Sequence, residues 1–146
     1  MGTCRRSEVG PRPGDRASFE SRFLLMHMAY PWSRHLLGMA FVYRNIRLDL
    51  TWSLLLRPSH FKVALHEAIE ILPDVSRMMI GGDNWHVEET YGTMKLARAL
   101  IGEVLREKLE AGYFGQEDAQ RLAKGILREN AMQFFKLETK KKLLDK

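Results

Sequence analysis

Two short apolar runs that each give way to a polar side chain, with an alternating segment between them, set the strongest limit on what this sequence can fold into. Phe23-Leu24-Leu25-Met26 stops at His27, and Met78-Met79-Ile80 closes on Gly81-Gly82-Asp83. Between them, Ile46-Arg47-Leu48-Asp49-Leu50-Thr51-Trp52 alternates in polarity and carries β-formers. Runs of this length suit strands, and the first, apolar at consecutive positions, suits one covered on both faces in a parallel sheet. Helical periodicity fills the intervals. Tyr30-Pro31-Trp32-Ser33 makes a turn, and Pro31 or Ser33 starts a helix through about Tyr43 that Asn45 breaks. Ser59 is the expected N-cap of a helix to Leu72, whose Phe61, Ala64, Leu65, Ala68, Ile69 and Leu72 form one stripe before Pro73-Asp74 ends it. A long helix is expected from about Glu88 to Ala111, with Gly112 as its left-handed terminator. Glu117-Asp118 opens a last helix to about Phe135, with its acids at the positive end. Strands alternating with helices over short connections imply parallel βα units.

Composition narrows the classes without choosing among them. With 146 residues, 45% hydrophobic and 28% charged, the chain has one domain's worth of ordinary globular material. No apolar run reaches the roughly 18 residues of a membrane-spanning helix, so no membrane association is expected. The start, MGTCRRSEVGPRPGDRASFE, lacks the apolar core of a secretory signal, and Glu8, Asp15 and Glu20 make it too acidic for a transit peptide. Cys4 is the single cysteine, which excludes an internal disulfide and makes a cytoplasmic location the default. The net charge of +5 is spread unevenly: residues 1–20 contribute +1 and residues 136–146 contribute +3, leaving +1 for the body. A nearly neutral body with a terminal lysine cluster argues against nucleic-acid binding. The domain reading is therefore a disordered N-terminal segment over residues 1–21, a folded region over 22–137 and a basic tail over 138–146.

In parallel α/β architectures, functional groups collect at the carboxyl ends of the strands. His27, Asp49 and Asp83 fall there. An imidazole and a carboxylate are metal ligands and proton carriers alike. A carboxylate beside a metal-bound water can orient it and take its proton. Each residue also has an ordinary structural role: a strand-ending His is commonly just hydrogen-bonded, and an Asp after Gly-Gly commonly just enters a helix. Asp49 is expected to support the strand ends. His35, His60 and His66 lie on predicted helices and read as surface or packing residues.

The segment from Phe23 through His27 to Trp32 resembles the sixth-strand region of the amidohydrolase superfamily of metal-dependent barrel hydrolases, where an apolar strand ends in a catalytic histidine. Ile46–Trp52 is similar to that family's seventh strand, and Met78–His86 resembles its eighth, whose aspartate binds metal or its water. Val87-Glu88-Glu89-Thr90-Tyr91-Gly92 and Ile126-Leu127-Arg128-Glu129-Asn130-Ala131 look like its final helices. The resemblance covers about residues 22–137 and lies nearest the branch of decarboxylases, lactonases, uronate isomerase-like proteins and amidohydrolase domains fused to glutamine-synthetase-like enzymes. It implies a partial (β/α)₈ TIM barrel, an α/β fold of about three C-terminal βα units plus terminal helices. It also implies Asp83 as metal ligand and general base, and His27 as second ligand or acid/base. His86, on the loop beyond, is implied as a substrate contact. The implied cofactor is a divalent metal, zinc in a complete barrel, and the implied partner is a small-molecule substrate, with homo-oligomers left open.

The departures from the family are as informative. Its first strand carries a His-x-His pair, and no His-x-His occurs here. Two candidate ligands fall short of the three protein ligands of a catalytic zinc. A complete barrel takes roughly 250 residues. The expectation is thus the C-terminal segment of a metal-dependent hydrolase acting on C–N or C–O bonds, inactive in isolation. The alternatives are a non-catalytic half-barrel scaffold or oligomerisation module, and a lyase, decarboxylase or isomerase of the same superfamily.

Overall fold

A computed structural model describes residues 21–72 and 74–138. Apart from Ser21 and Glu138, the expected disordered segment and basic tail lie outside the described residues. The elements run β1 (Phe23–Leu25), α1 (Ser33–Val42), β2 (Ile46–Asp49), α2 (Ser53–Leu56), α3 (Pro58–Ile71), β3 (Met78–Met79), α4 (Val87–Glu110), α5 (Gln116–Lys124), a π-helical stretch (Gly125–Glu129) and α6 (Asn130–Phe134). Single 3₁₀ turns follow β1 at Met26–Ala29 and precede β3 at Val75–Arg77.

The strands pair in parallel in the order β1-β2-β3, with Leu25 opposite Leu48 and Leu48 opposite Met78. This small sheet sits in a predominantly helical domain, and the expectation of a partial (β/α)₈ barrel built from three βα units is overturned. Among the described residues no barrel-like βα repeat is evident, because the strands span only three, four and two residues. The apolar runs that read as strands leave the sheet early. Met26 enters a turn. Leu50-Thr51-Trp52 curls into α2, where the Ser53 hydroxyl donates to the Leu50 carbonyl at 2.6 Å. Leu50 and Ile80 stay buried, and the Leu50 N–H makes a last bond to the Met79 carbonyl at 2.8 Å beyond β2.

Helix packing supplies most of the core. The predicted stripe of α3 is buried at Phe61, Ala64, Leu65, Ala68 and Ile69, facing Ala97, Leu100, Ile101, Val104 and Leu105 of α4. Removing one such large side chain from water is worth about 1.5–3 kcal/mol. The α3 start differs from expectation: Arg57 is the N-cap and Pro58 occupies the first turn, where proline's missing N–H costs nothing. On the flank of this pair, Lys62 bridges Glu103 at 3.0 Å and Glu107 at 2.8 Å, and His66 reaches Glu107 at 2.8 Å.

Two polar side chains pin the helices to the sheet. Asn130 donates to the carbonyls of Met78 at 2.7 Å and Val75 at 3.2 Å, which ties α6 to β3. A Cβ at Gly125 would lie 3.1 Å from the Asn130 Oδ1, so the π-helical stretch brings backbone close to this side chain. Arg77, 2% exposed, donates from Nη1 to the carbonyls of Ala40 at 2.6 Å and Tyr43 at 3.4 Å. Those carbonyls belong to the C-terminal end of α1, where unpaired acceptors and the helix dipole favour a cation. Gly112 has φ +69°, the left-handed terminator that the sequence leads one to expect. Among the described residues no helix is long and apolar enough to cross a membrane.

Candidate functional site

Because the three strands are parallel, the residues that follow β1, β2 and β3 emerge at one edge of the sheet. His27, Asp49 and Asp83 therefore share that edge. What links them is the turn after β2. The Asp49 carboxylate, buried at 4% exposure, accepts from the Thr51 backbone N–H at 3.1 Å and from the Thr51 hydroxyl at 2.6 Å. The same hydroxyl accepts from the Gly81 N–H at 2.7 Å, joining the β2 turn to the segment leading to Asp83. A Cβ at Gly81 would stand 3.2 Å from this oxygen, so a side chain there would have to push the hydroxyl back by a few tenths of an ångström. The Thr51 carbonyl lies 3.0 Å from the His27 Nδ1. The Trp52 indole N–H donates to the Asp83 carbonyl at 2.5 Å. One dipeptide, Thr51-Trp52, thus holds both candidate loops.

The backbone at this edge is unusual in the same places. His27, Met28 and Ala29 have φ of 58°, 53° and 49°, three successive side-chain-bearing residues in the left-handed region. Trp52 at 63° and Asp83 at 47° share it. Residues other than glycine adopt this region at a cost of roughly 1–2 kcal/mol each. Such strain persists only where surrounding contacts over-determine it, and it clusters at functional sites. Here the compensating contacts are the burial of Met28, the bond from Trp32 N–H to the Ala29 carbonyl at 2.7 Å, and the Thr51-Trp52 bonds.

These bonds fix the chemistry available. A carbonyl only accepts, so the His27 Nδ1 carries the proton and donates to Thr51. The Nε2 is then the nitrogen with a lone pair, the arrangement in which a histidine binds a metal or takes a proton. The His27 ring lies against the Trp52 ring, centroids 5.9 Å apart, and is half-buried. The Asp83 side chain is exposed, and no hydrogen bond reaches its carboxylate from the described residues. Burial pushes the Asp49 carboxyl above its ordinary range; the Thr51 bonds and the nearby His27 oppose that shift, and Asp83 adds to it. His27 and Asp83 therefore each lie within electrostatic reach of Asp49.

The remaining histidines have other partners or surroundings. His86 is exposed at the N-cap of α4 and pairs with Glu89, Nδ1 to Oε1 at 3.3 Å. His60 bonds the buried Ser33 hydroxyl at 2.9 Å and stacks edge-on against Tyr30. His66 belongs to the α3–α4 ion pairs, and His35 is exposed on α1. Among the described residues no three His, Cys, Asp or Glu side chains gather in a group able to hold a metal ion. His27 and Asp83 are two donors where catalytic zinc takes three from protein. Zinc therefore does not fit the donors this chain offers by itself. Thr51 and Trp52 escape sequence reasoning because they read as the end of a strand. The available signal was Asp49-Leu50-Thr51, since an Asp side chain readily bonds the backbone two residues on.

No family model matches the chain. It is similar to the protein fluG of Emericella nidulans, with 28% identity over 121 residues, 81% of this chain and 14% of that protein. In structure it is similar to a chain from Lactobacillus casei ATCC 334 proposed to be a metal-dependent hydrolase, with a TM-score of 0.66 and 21% identity. That match covers 85% of this chain and 34% of the solved one, and it establishes a shared fold. The chain thus spans about a seventh of one relative and a third of the other.

Proposed function

We propose that this chain carries part of a hydrolytic site of the metal-dependent hydrolase type, with Asp83 as general base and His27 as proton carrier through Nε2. The observation that carries the proposal is the pair of bonds from His27 Nδ1 to the Thr51 carbonyl and from the Trp52 indole to the Asp83 carbonyl. They hold two proton-handling groups at one sheet edge and leave each with its reactive atoms unspent. The structural relative proposed to be a metal-dependent hydrolase supports the same reading. In it, the Asp83 carboxylate takes a proton from a water attacking a C–N or C–O bond in a small molecule. The His27 Nε2 then accepts that proton from Asp83 and delivers it to the leaving group, which restores both side chains to their starting forms. Asp49 remains a positioning residue, since its Oδ1 is spent on Thr51. A metal ion belongs to this reading only with donors from beyond this chain, on the proposal that the chain is a segment of a longer enzyme.

The test is a chimera in which residues 22–137 replace the matching third of the Lactobacillus casei relative, assayed on amides, esters and small carboxylic acids. Hydrolysis that falls by about 10²-fold or more in Asp83→Asn, the usual effect of removing a general base, supports the proposal. Full activity in Asp83→Asn refutes the role of that residue, and carbon dioxide release in place of hydrolysis would move the chemistry to a decarboxylase. A second reading, a non-catalytic association module, is favoured by the absence of a third metal donor among the described residues. It is also favoured by the apolar groove of about 300 Å³ lined by Phe23, Leu25, Met39, Tyr43 and Ile46 beside β1. Sedimentation showing a stable oligomer, together with an inactive chimera, would support it.

A further inference from the structure

The opposite edge of the sheet holds a second concentration of charge. Arg44 precedes β2, Arg47 is its second residue, and Asp74 and Arg77 lie just before β3. In a parallel sheet these positions share the amino-terminal edge, away from His27 and Asp83. Together the four residues line a cavity of about 300 Å³. Three guanidiniums against one carboxylate leave a local excess of positive charge.

The hydrogen bonds make this more than a solvated basic face. Arg77 spends Nη1 on the Ala40 and Tyr43 carbonyls and Nε on the Asp74 carbonyl at 3.4 Å. Its Nη2 and the Nη1 of Arg47 are buried, and neither has a hydrogen-bond partner among the described residues. Burial pulls the Arg77 guanidinium below its ordinary value; Asp74 opposes this, and Arg47 and Arg44 add to it by repulsion. The Asp74 carboxylate, whose Oδ1 accepts from the Ser76 N–H at 2.9 Å, lies within electrostatic reach of Arg47 and Arg77 and offsets one of the three positive charges. Buried donors left unpaired cost about 1–3 kcal/mol each, more when charged. An oxyanion accepts from guanidinium N–H groups in the planar geometry they present and neutralises the excess charge.

We propose that this cavity is an anion-binding site, taking a small oxyanion of phosphate or carboxylate type held by Arg47 and Arg44 with Arg77 behind them. It is independent of the chemistry assigned to His27 and Asp83.

Thermal unfolding of the full chain in inorganic phosphate, in citrate and in chloride at matched ionic strength tests it. Phosphate or citrate should raise the midpoint above the chloride control in a saturable way. A rise with phosphate alone assigns a phosphoryl ligand, and a rise with both assigns any oxyanion, a protein carboxylate included. Arg47→Gln and Arg44→Gln should each weaken the apparent affinity by about tenfold, as for a lost charge-assisted pair. Asp83→Asn should leave it unchanged, which separates this site from the hydrolytic proposal. Arg77 is left intact because its Nη1 holds α1. The absence of any anion-specific rise in the unmodified chain, or an undiminished rise in Arg47→Gln, would overturn the proposal.

Discussion

Replacing Thr51 by valine removes one hydroxyl at nearly constant volume, and the structure gives that hydroxyl two jobs. It donates to Asp49 Oδ1 at 2.6 Å and accepts from the Gly81 N–H at 2.7 Å. Thr51 is 2% exposed, so water cannot readily take over either role. Orphaning the Gly81 N–H should cost about 1–3 kcal/mol, and losing the bond to a carboxylate a further 1.5–3 kcal/mol or so. The added methyl returns up to about 0.8 kcal/mol by burial, leaving a net loss of roughly 2–5 kcal/mol. Urea unfolding of both proteins measures this as a lower midpoint at unchanged slope, the signature of altered stability alone. The same substitution should loosen the Thr51 carbonyl that holds the His27 Nδ1 proton, so imidazole ¹⁵N spectra should show His27 becoming a tautomer mixture. A loss under about 0.5 kcal/mol, the range of ordinary surface changes, with an unaltered His27 signal would refute the claim that Thr51 organises this edge.

Two further outcomes follow from the core and from Asp49. Leu65→Ala, at a fully buried position of α3, should cost about 2–5 kcal/mol in urea unfolding, and a loss under 1 kcal/mol would contradict the α3–α4 core. Asp49 has a carboxyl pKa raised above the ordinary 3.8 by burial, so its folded state holds the proton more tightly than the unfolded chain. Its contribution is therefore fully present below the unfolded value and is lost as pH rises through the folded one. Asp49→Asn, which keeps an acceptor for Thr51, should gain stability relative to the parent as pH rises from 3.8 upward, and a gap that narrowed over that range would contradict the assignment.

Periodicity and punctuation made the helices legible. The α3 stripe, the α4 span and the Gly112 terminator follow from side-chain spacing and from the one residue type that accepts φ > 0 freely. The architecture was less legible for a physical reason. Phe23–Met26 and Ile46–Trp52 have the composition of longer strands, but residues buried under helices need the same apolar side chains as residues within a sheet. Where a strand ends depends on the competing bonds of Asp49 and Ser53 side chains with local backbone. At the candidate site, His27 and Asp83 stood out because each halts an apolar run. Their connection through Thr51 and Trp52 did not, since it depends on a carbonyl and an indole N–H meeting residues 24 and 31 positions away. The orphaned arginine nitrogens were equally silent in sequence, where three arginines among many bases carry no signature.

At the sheet edge that it shares with Asp83, His27 holds Nδ1 against the Thr51 carbonyl and so presents Nε2 as the chemically available nitrogen. Zinc titration of the full chain, followed through the imidazole ¹⁵N resonances of His27, tests it directly. Before zinc, His27 should carry its proton on Nδ1. On titration the Nε2 resonance should move weakly and without stoichiometric saturation, as expected for two protein donors in place of three, and the movement should diminish in Asp83→Asn. A His27 protonated on Nε2, or tight stoichiometric zinc unaffected by Asp83→Asn, would contradict it.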